Sequence, residues 1–145
     1  MFAKQLTVFI ENRAGRLSEV LGVLGNCGVS IISMSLADTT EFGLLRLIVD
    51  DAPLGKEKLT ESGFSSLISD VFIISIPHKA GSLQQLLGMV DKNGVNIEYM
   101  YGLSIEDENA YVVLKTSDTE RVGDLFERSG IRTLSCEELY YNKKA

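Results

Sequence analysis

The chain repeats itself. The segment VFIENRAGRLSEVLGVLGNCGVSIISMS, starting at Val8, aligns without a gap on ISIPHKAGSLQQLLGMVDKNGVNIEYMY, starting at Ile74. The offset is 66 throughout, and 10 of the 28 pairs are identical, among them Gly15/Gly81, Leu17/Leu83, Leu21/Leu87, Gly28/Gly94, Ile31/Ile97 and Met34/Met100. Average composition would give about two. One further residue in the second copy changes the offset to 67, which sets Ser62-Gly63 on Ser129-Gly130. A repeat this long is a domain pair, because solenoid units are shorter. The expected organisation is two units, 1–70 and 71–145. Each alone is small for a hydrophobic core, which favours their fusion.

Each copy reads strand, helix, strand, strand, helix, strand. Leu6, Val8 and Ile10 alternate along a first strand near 5–11, and Phe72, Ile74 and Ile76 repeat it. Leu17, Val20, Leu21 and Leu24 then recur at helical spacing, as do Leu83, Leu86, Leu87 and Val90. Gly28 and Gly94 end these helices in a conformation glycine adopts without a Cβ clash. Strand two is expected to begin at once, at Val29 and Val95. Strand three covers 44–49 and 111–116, after short polar turns. In the second unit Ser117 or Asp118 caps a helix with the stripe Val122, Leu125 and Phe126. In the first unit the matching helix starts near Pro53 and is weakened by Gly55. Strand four follows Gly63 or Gly130. Residues 64–68 run through Ser69-Asp70 into the second unit with no linker between. This βαββαβ order is the ferredoxin-like plan, an α+β fold. Right-handed crossovers set both helices on one face of an antiparallel sheet.

With 45% hydrophobic residues the chain has enough apolar surface for a packed core. Its net charge of −6 disfavours nucleic acid, which needs clustered Lys and Arg. Lys143-Lys144 reads as a solvated end. No apolar run reaches the ~20 residues that span a bilayer, and Glu11 and Arg13 interrupt any leader pattern. A cytoplasmic protein without membrane contact is expected. Cys27 and Cys136 lie at non-equivalent positions and read as small buried thiols. With His78 as the one imidazole, they form no metal-ligand spacing, so neither metal nor cofactor is expected. On strand three, Leu45, Leu47 and Val49 point one way, and Leu44 and Ile48 the other. Val112 and Val113 repeat this two-sided pattern. A helix layer covers one face, so the other predicts a homodimer contact.

The segment with a chemical argument is the strand-to-helix turn, ENRAGRL in the first unit and PHKAGSL in the second. A helix N-terminus presents unpaired N–H groups and a partial positive charge. Gly15 or Gly81 immediately before it lets a ligand approach the backbone. The result suits a carboxylate. Asn12 and His78 can each add a directional hydrogen bond. Arg13, Arg16 and Lys79 add positive charge.

The run Asn12-Arg13-Ala14-Gly15-Arg16-Leu17, with Gly28-Val29-Ser30-Ile31 following, resembles an ACT domain. That family's hallmark is an Asp/Asn-x-x-Gly-x-Leu turn, a helix, then Gly-Val/Ile-Asn-Ile opening strand two. The second unit matches with Ala80-Gly81-Ser82-Leu83 and Gly94-Val95-Asn96-Ile97. The family's usual proline before the glycine is Ala14 and Ala80 here, and the usual Asp or Asn is His78 in the second unit. The resemblance implies regulatory binding of a small molecule, most often a free amino acid. It also implies two units side by side in an eight-stranded sheet, with ligand between the glycine turn of one unit and strand two of the other. One implied site comprises Asn12, Arg13, Ala14, Gly15, Arg16 and Leu17 facing Asn96, Ile97, Glu98, Tyr99 and Met100. The other comprises His78, Lys79, Ala80, Gly81, Ser82 and Leu83 facing Ser30, Ile31, Ile32 and Met34.

An enzyme is the first rival reading. The sequence contains no nucleophile–base pair, metal cluster or phosphate loop, so no catalytic residue is expected. His78 in a turn reads as a surface residue. The second rival is an interaction module without a ligand, or a regulatory subunit of a separately encoded metabolic enzyme.

Overall fold

A computed structural model describes residues 2–38 and 41–139. The chain divides into two compact units. The first is Lys4–Ser69, with which Leu139 groups; the second is Asp70–Glu138, with which Phe2 and Ala3 group.

The first unit contains β1 (Ala3–Glu11), α1 (Arg16–Asn26), β2 (Ile31–Asp38), β3 (Phe42–Val49), α2 (Ala52–Glu61) and the start of β4 (Ser65–Pro77). Its strands run in the order β2-β3-β1-β4. β3 pairs antiparallel with β1 and β2, in registers that include Val8↔Leu45 and Met34↔Leu47. The alternation read from the sequence sets Leu6, Val8, Ile10, Leu45, Leu47 and Val49 on the helix side. There they meet Val20 and Leu24 of α1 and Leu59 of α2 in one buried cluster. Leu17, Val23 and Cys27 complete the inward face of α1, whereas Leu21 stands half-buried outside that cluster. The stripe is therefore rotated slightly from the expected one.

α2 forms despite Gly55. Pro53 occupies its first turn, and the Asp51 carboxylate accepts the Leu54 N–H at 3.1 Å as a cap. Gly55 is itself a packing device, because a Cβ there would stand 3.1 Å from methyls of both Leu24 and Leu6. Its loss of helix propensity is offset by the close approach of α2 to β1 and α1.

The second unit contains the rest of β4, α3 (Ser82–Lys92), β5 (Ile97–Glu106), β6 (Asn109–Thr116), α4 (Thr119–Arg128) and β7 (Arg132–Leu134). β6 pairs antiparallel with β4 and β5, and β7 pairs antiparallel with β4. Phe72, Ile74, Val112 and Leu114 meet Leu86 and Val90 of α3 and Val122 and Phe126 of α4 in the second core. Asp118 is the residue that caps α4, accepting the Arg121 N–H at 3.2 Å. β4 is the fourth strand of the first unit and the first strand of the second.

Three local features depart from the sequence reading. Strand two starts at Ile31 and Ile97, later than the valines. Val29 and Val95 are core residues in the approach to the strand, and the next residue is held by a loop. The Ser30 N–H is taken by Asp50 Oδ1 at 2.8 Å, and the Asn96 N–H by Ser117 Oγ at 3.2 Å. Cys27 and Cys136 are half-buried, and the Cys27 thiol donates to the Leu24 carbonyl at 3.3 Å. Lastly, Ile48 and Val113 are fully buried within the single chain. They are therefore not left over as contact surface for a second copy. No helix among the described residues is long and apolar enough to cross a membrane.

Candidate functional site

The two glycine turns are built alike. In the first, the Arg13 N–H donates to the Glu11 carbonyl at 2.8 Å, and the Arg16 N–H to the Arg13 carbonyl at 3.4 Å. In the second, Lys79 donates to Pro77 at 2.9 Å and Ser82 to Lys79 at 3.2 Å. Each turn is also tied to the following hairpin. The Asn12 N–H reaches the Glu41 carbonyl at 3.1 Å, and the His78 N–H reaches the Glu108 carbonyl at 2.7 Å.

Gly15 and Gly81 are the N-caps of α1 and α3, with φ of 89° and 87°. That left-handed conformation is what glycine allows and branched residues resist. Neither cap supplies a side-chain acceptor. Among the described residues, the amides of Ala14, Gly15, Leu17 and Ser18 have no hydrogen-bond partner. The same holds for Ala80, Gly81, Leu83 and Gln84. Beyond its own chain neighbours, a Cβ built on either glycine meets nothing within 4 Å among the described residues, so the space above the backbone is open. Each turn thus presents unpaired N–H donors at the positive end of a helix.

The charged residues around the two turns differ. Arg13 Nε binds Glu11 Oε2 at 2.8 Å, and Arg16 Nη1 binds Glu19 Oε2 at 2.7 Å. The Arg16 guanidinium also lies 4.4 Å from the centre of the Phe64 ring. Both cations expected to serve an anion are therefore committed to carboxylates of their own turn, and the first site carries no net positive charge. At the 66 offset, Glu11 and Glu19 become Pro77 and Gln85, and Lys79 makes no ion pair among the described residues. The hydrogen bond from Arg13, reinforced by its charge, holds the Glu11 carboxyl below the usual carboxylate range. Arg13→Gln should let that carboxyl titrate back up toward the ordinary value, which a carbon-detected NMR titration would show. An unmoved Glu11 would mean the pair does not persist in solution. Any stability the pair adds is present above the unfolded-state pKa and is lost as pH falls through the lower folded-state one.

Asn12, Arg13, Ala14 and Gly15 are exposed, and Arg16 and Leu17 half-buried. His78, Lys79, Ala80, Gly81 and Leu83 are exposed, and Ser82 half-buried. Ser30, Ile31, Met34, Asn96 and Glu98 are exposed, while Ile32, Ile97, Tyr99 and Met100 are half-buried. Each turn gathers its own residues. Within a unit, however, the turn and the start of strand two do not meet. They lie at opposite ends of the first helix, whose 11 residues span roughly 16 Å. β2 and β5 share a feature invisible in the sequence, a register shift at Ile32 and at the equivalent Glu98. Such bulges re-aim side chains on an edge. The second unit also carries an open groove of about 880 Å³ between α3 and the segment 94–97. Gln84, Leu87, Gly88 and Asp91 line it, with Leu83, Asn96 and Ile97. Gln84, Gly88 and Asp91 were not singled out by the sequence, which placed Leu87 in the apolar stripe of the helix and not in a site.

A repeated βαββαβ fold, with a glycine turn between the first strand and the first helix of each copy, defines a tandem ferredoxin-like module. The chain belongs to the ACT domain pair family, which it matches over residues 1–139. It is similar to a protein of known crystal structure from Bacteroides thetaiotaomicron, at 35% identity and a TM-score of 0.90. That match covers 97% of this chain and 96% of the other. The ligand-free regulatory subunit of aspartate kinase from Thermus thermophilus shares the fold at 15% identity and a TM-score of 0.62, over 86% of this chain and 87% of that one. Aspartate kinase from Clostridium acetobutylicum shares it at 16% identity and a TM-score of 0.52, over 86% of this chain and 32% of that one. Among curated proteins none matches the chain. ACT domain pairs are regulatory modules.

Proposed function

We propose that this protein is a cytoplasmic regulatory binder of free amino acids without catalytic activity of its own. The observation that carries this reading is the duplicated set of unpaired main-chain amides at exposed, left-handed glycine turns. An α-carboxylate is the small anion that such donors suit. The zwitterion's ammonium needs acceptors nearby. β2 and β5 can provide them, since among the described residues each pairs with a strand on one side only, β3 and β6 respectively. In this proposal each site forms where the glycine turn of one unit meets the second strand of another. The Asn12–Leu17 turn faces the strand bearing Glu98, and the His78–Leu83 turn faces the strand bearing Met34. The units belong to a homodimer. The signal passes to a separately encoded metabolic enzyme, a role in keeping with the name of the Thermus thermophilus neighbour.

Effector affinities between micromolar and millimolar correspond to roughly −8 to −4 kcal/mol, which a few charge-assisted hydrogen bonds and a partly covered side chain can supply. Ligand at about 100 times its Kd should stabilise the fold by about 2.7 kcal/mol. A thermal-shift screen of the twenty amino acids should therefore raise the transition with one or a few of them. No shift with any at millimolar concentration would end this reading. Capture of a partner enzyme without an amino-acid effect would leave the interaction module standing in its place.

A further inference from the structure

On the first unit, the sheet face turned away from the helices is covered at one end only. Gln5, Thr7 and Ile48 are buried on it. Toward the other end Phe9, 39% exposed, stands opposite the half-buried Leu44. Beyond them Phe42, 51% exposed, stands opposite Glu11. Leu67 of β4 adds to this end at 39% exposed, since its neighbour Ile68 packs on the helix-side core. The repeat supplies a control. Phe9, Leu44 and Phe42 become Ser75, Tyr111 and Asn109 in the second unit, where Ser75 again pairs with Tyr111. The fold therefore does not require the apolar end, which marks a contact surface.

We propose that residues 140–145 of the chain itself dock on this end of the face. Leu139 groups with the first unit and is 2% exposed, yet belongs to neither helix-side core. Ile48 has the same standing, so Leu139 anchors the segment beside it. The residues that follow are Tyr140-Tyr141-Asn142-Lys143-Lys144-Ala145. Six extended residues reach about 20 Å, and Ile48 to Leu44 is about 13 Å along β3. The order of residues matches the order on the face. Tyr140 and Tyr141 meet Phe9, Leu44 and Phe42, covering apolar surface while their hydroxyls stay in water. Lys143 or Lys144 then meets Glu41, which is exposed and whose carboxylate makes no ion pair or hydrogen bond among the described residues. The same face of a second copy would bring carboxylates where the tail brings cations. Docked this way, the lysines flank the first glycine turn, whose Asn12 N–H is held by the Glu41 carbonyl. The docking stands whether or not that turn binds an amino acid.

Carbodiimide cross-linking of the full chain tests this, because the reagent joins an ammonium only to a carboxylate it touches. The sample is an equal mixture of ordinary and heavy-nitrogen chain. Mass spectrometry should find Lys143 or Lys144 joined to Glu41, with both peptides from one chain. Phe9→Ser puts the second unit's residue at an exposed position of the first. It should leave the melting temperature nearly unchanged and lower the cross-link yield several-fold. Tyr140→Ser with Tyr141→Ser should do the same, with both lysines still present. No cross-link to Glu41, or a yield that neither variant moves, would overturn the proposal. Cross-links only between ordinary and heavy chains would also overturn it, and would give the face to a second copy.

Discussion

Phe72→Ala should destabilise the second unit by about 3–5 kcal/mol, through a cavity that its neighbours cannot close. Phe72 is fully buried on β4. Its ring meets Phe2 edge-on, with centroids 5.3 Å apart at 65°, and Phe126 likewise at 5.1 Å and 75°. Phe126 comes from α4, so the ring joins the sheet to the helix layer as well as to Phe2. Each edge-to-face pair adds about 0.5–1.5 kcal/mol beyond buried area. For a unit of this size, a loss of 1 kcal/mol lowers the melting temperature by about 4–8 °C. The alanine variant should therefore melt more than about 12 °C lower. Phe72→Leu keeps most of the volume but loses both ring contacts, so it should fall between the two. A loss below about 1 kcal/mol for the alanine variant would mean that this cluster does not hold the unit together.

The elements that the sequence announced are those whose signal is local. The alternation of Leu6, Val8 and Ile10 needs only one strand, and the cap at Asp118 needs only the next turn. Gly28, Gly63, Gly94 and Gly130 all have positive φ, as residues ending a helix do. What remained hidden depends on a partner elsewhere in the chain. The strand-two start is delayed because Asp50 and Ser117 hold the residue after each valine, and no window around Val29 or Val95 contains those partners. The bulges at Ile32 and Glu98 exist only relative to the register of β3 and β6. Gly55 looked like a flaw in a helix because its reason, the methyls of Leu24 and Leu6, comes from two other elements.

The candidate site divides along the same line. Both turns were legible because glycine recurs at the same frame position in two copies. The neutralisation of the first turn was also within reach, since Arg16 and Glu19 stand at i,i+3 on one helix. The α3 groove was not, because it exists only where Leu83, Leu87 and the segment 94–97 share one opening.

Gly15→Val and Gly81→Val should each abolish the ligand response of their own turn, and together they should abolish all of it. Both glycines hold φ near +90°, at 89° and 87°. A β-branched residue there costs on the order of 1–3 kcal/mol in backbone strain. That strain is conformational, because beyond the adjoining residues a Cβ would meet nothing within 4 Å at either position. The same empty space is where a carboxylate has to sit to reach the amides, so a valine side chain blocks it. The two effects separate by measurement. Strain lowers the melting temperature without ligand, whereas blockade removes the shift that ligand adds. Titration well below the transition of each variant reads the second effect alone. Gly15→Ala and Gly81→Ala supply the comparison, since alanine carries most of the conformational penalty with a much smaller obstruction. Under the proposal the alanine pair melts lower yet still responds to ligand, and the valine pair loses the response. A double valine variant that stays folded and keeps the full ligand shift would move the binding site away from the turns. Their glycines would then serve only the left-handed backbone that starts each helix.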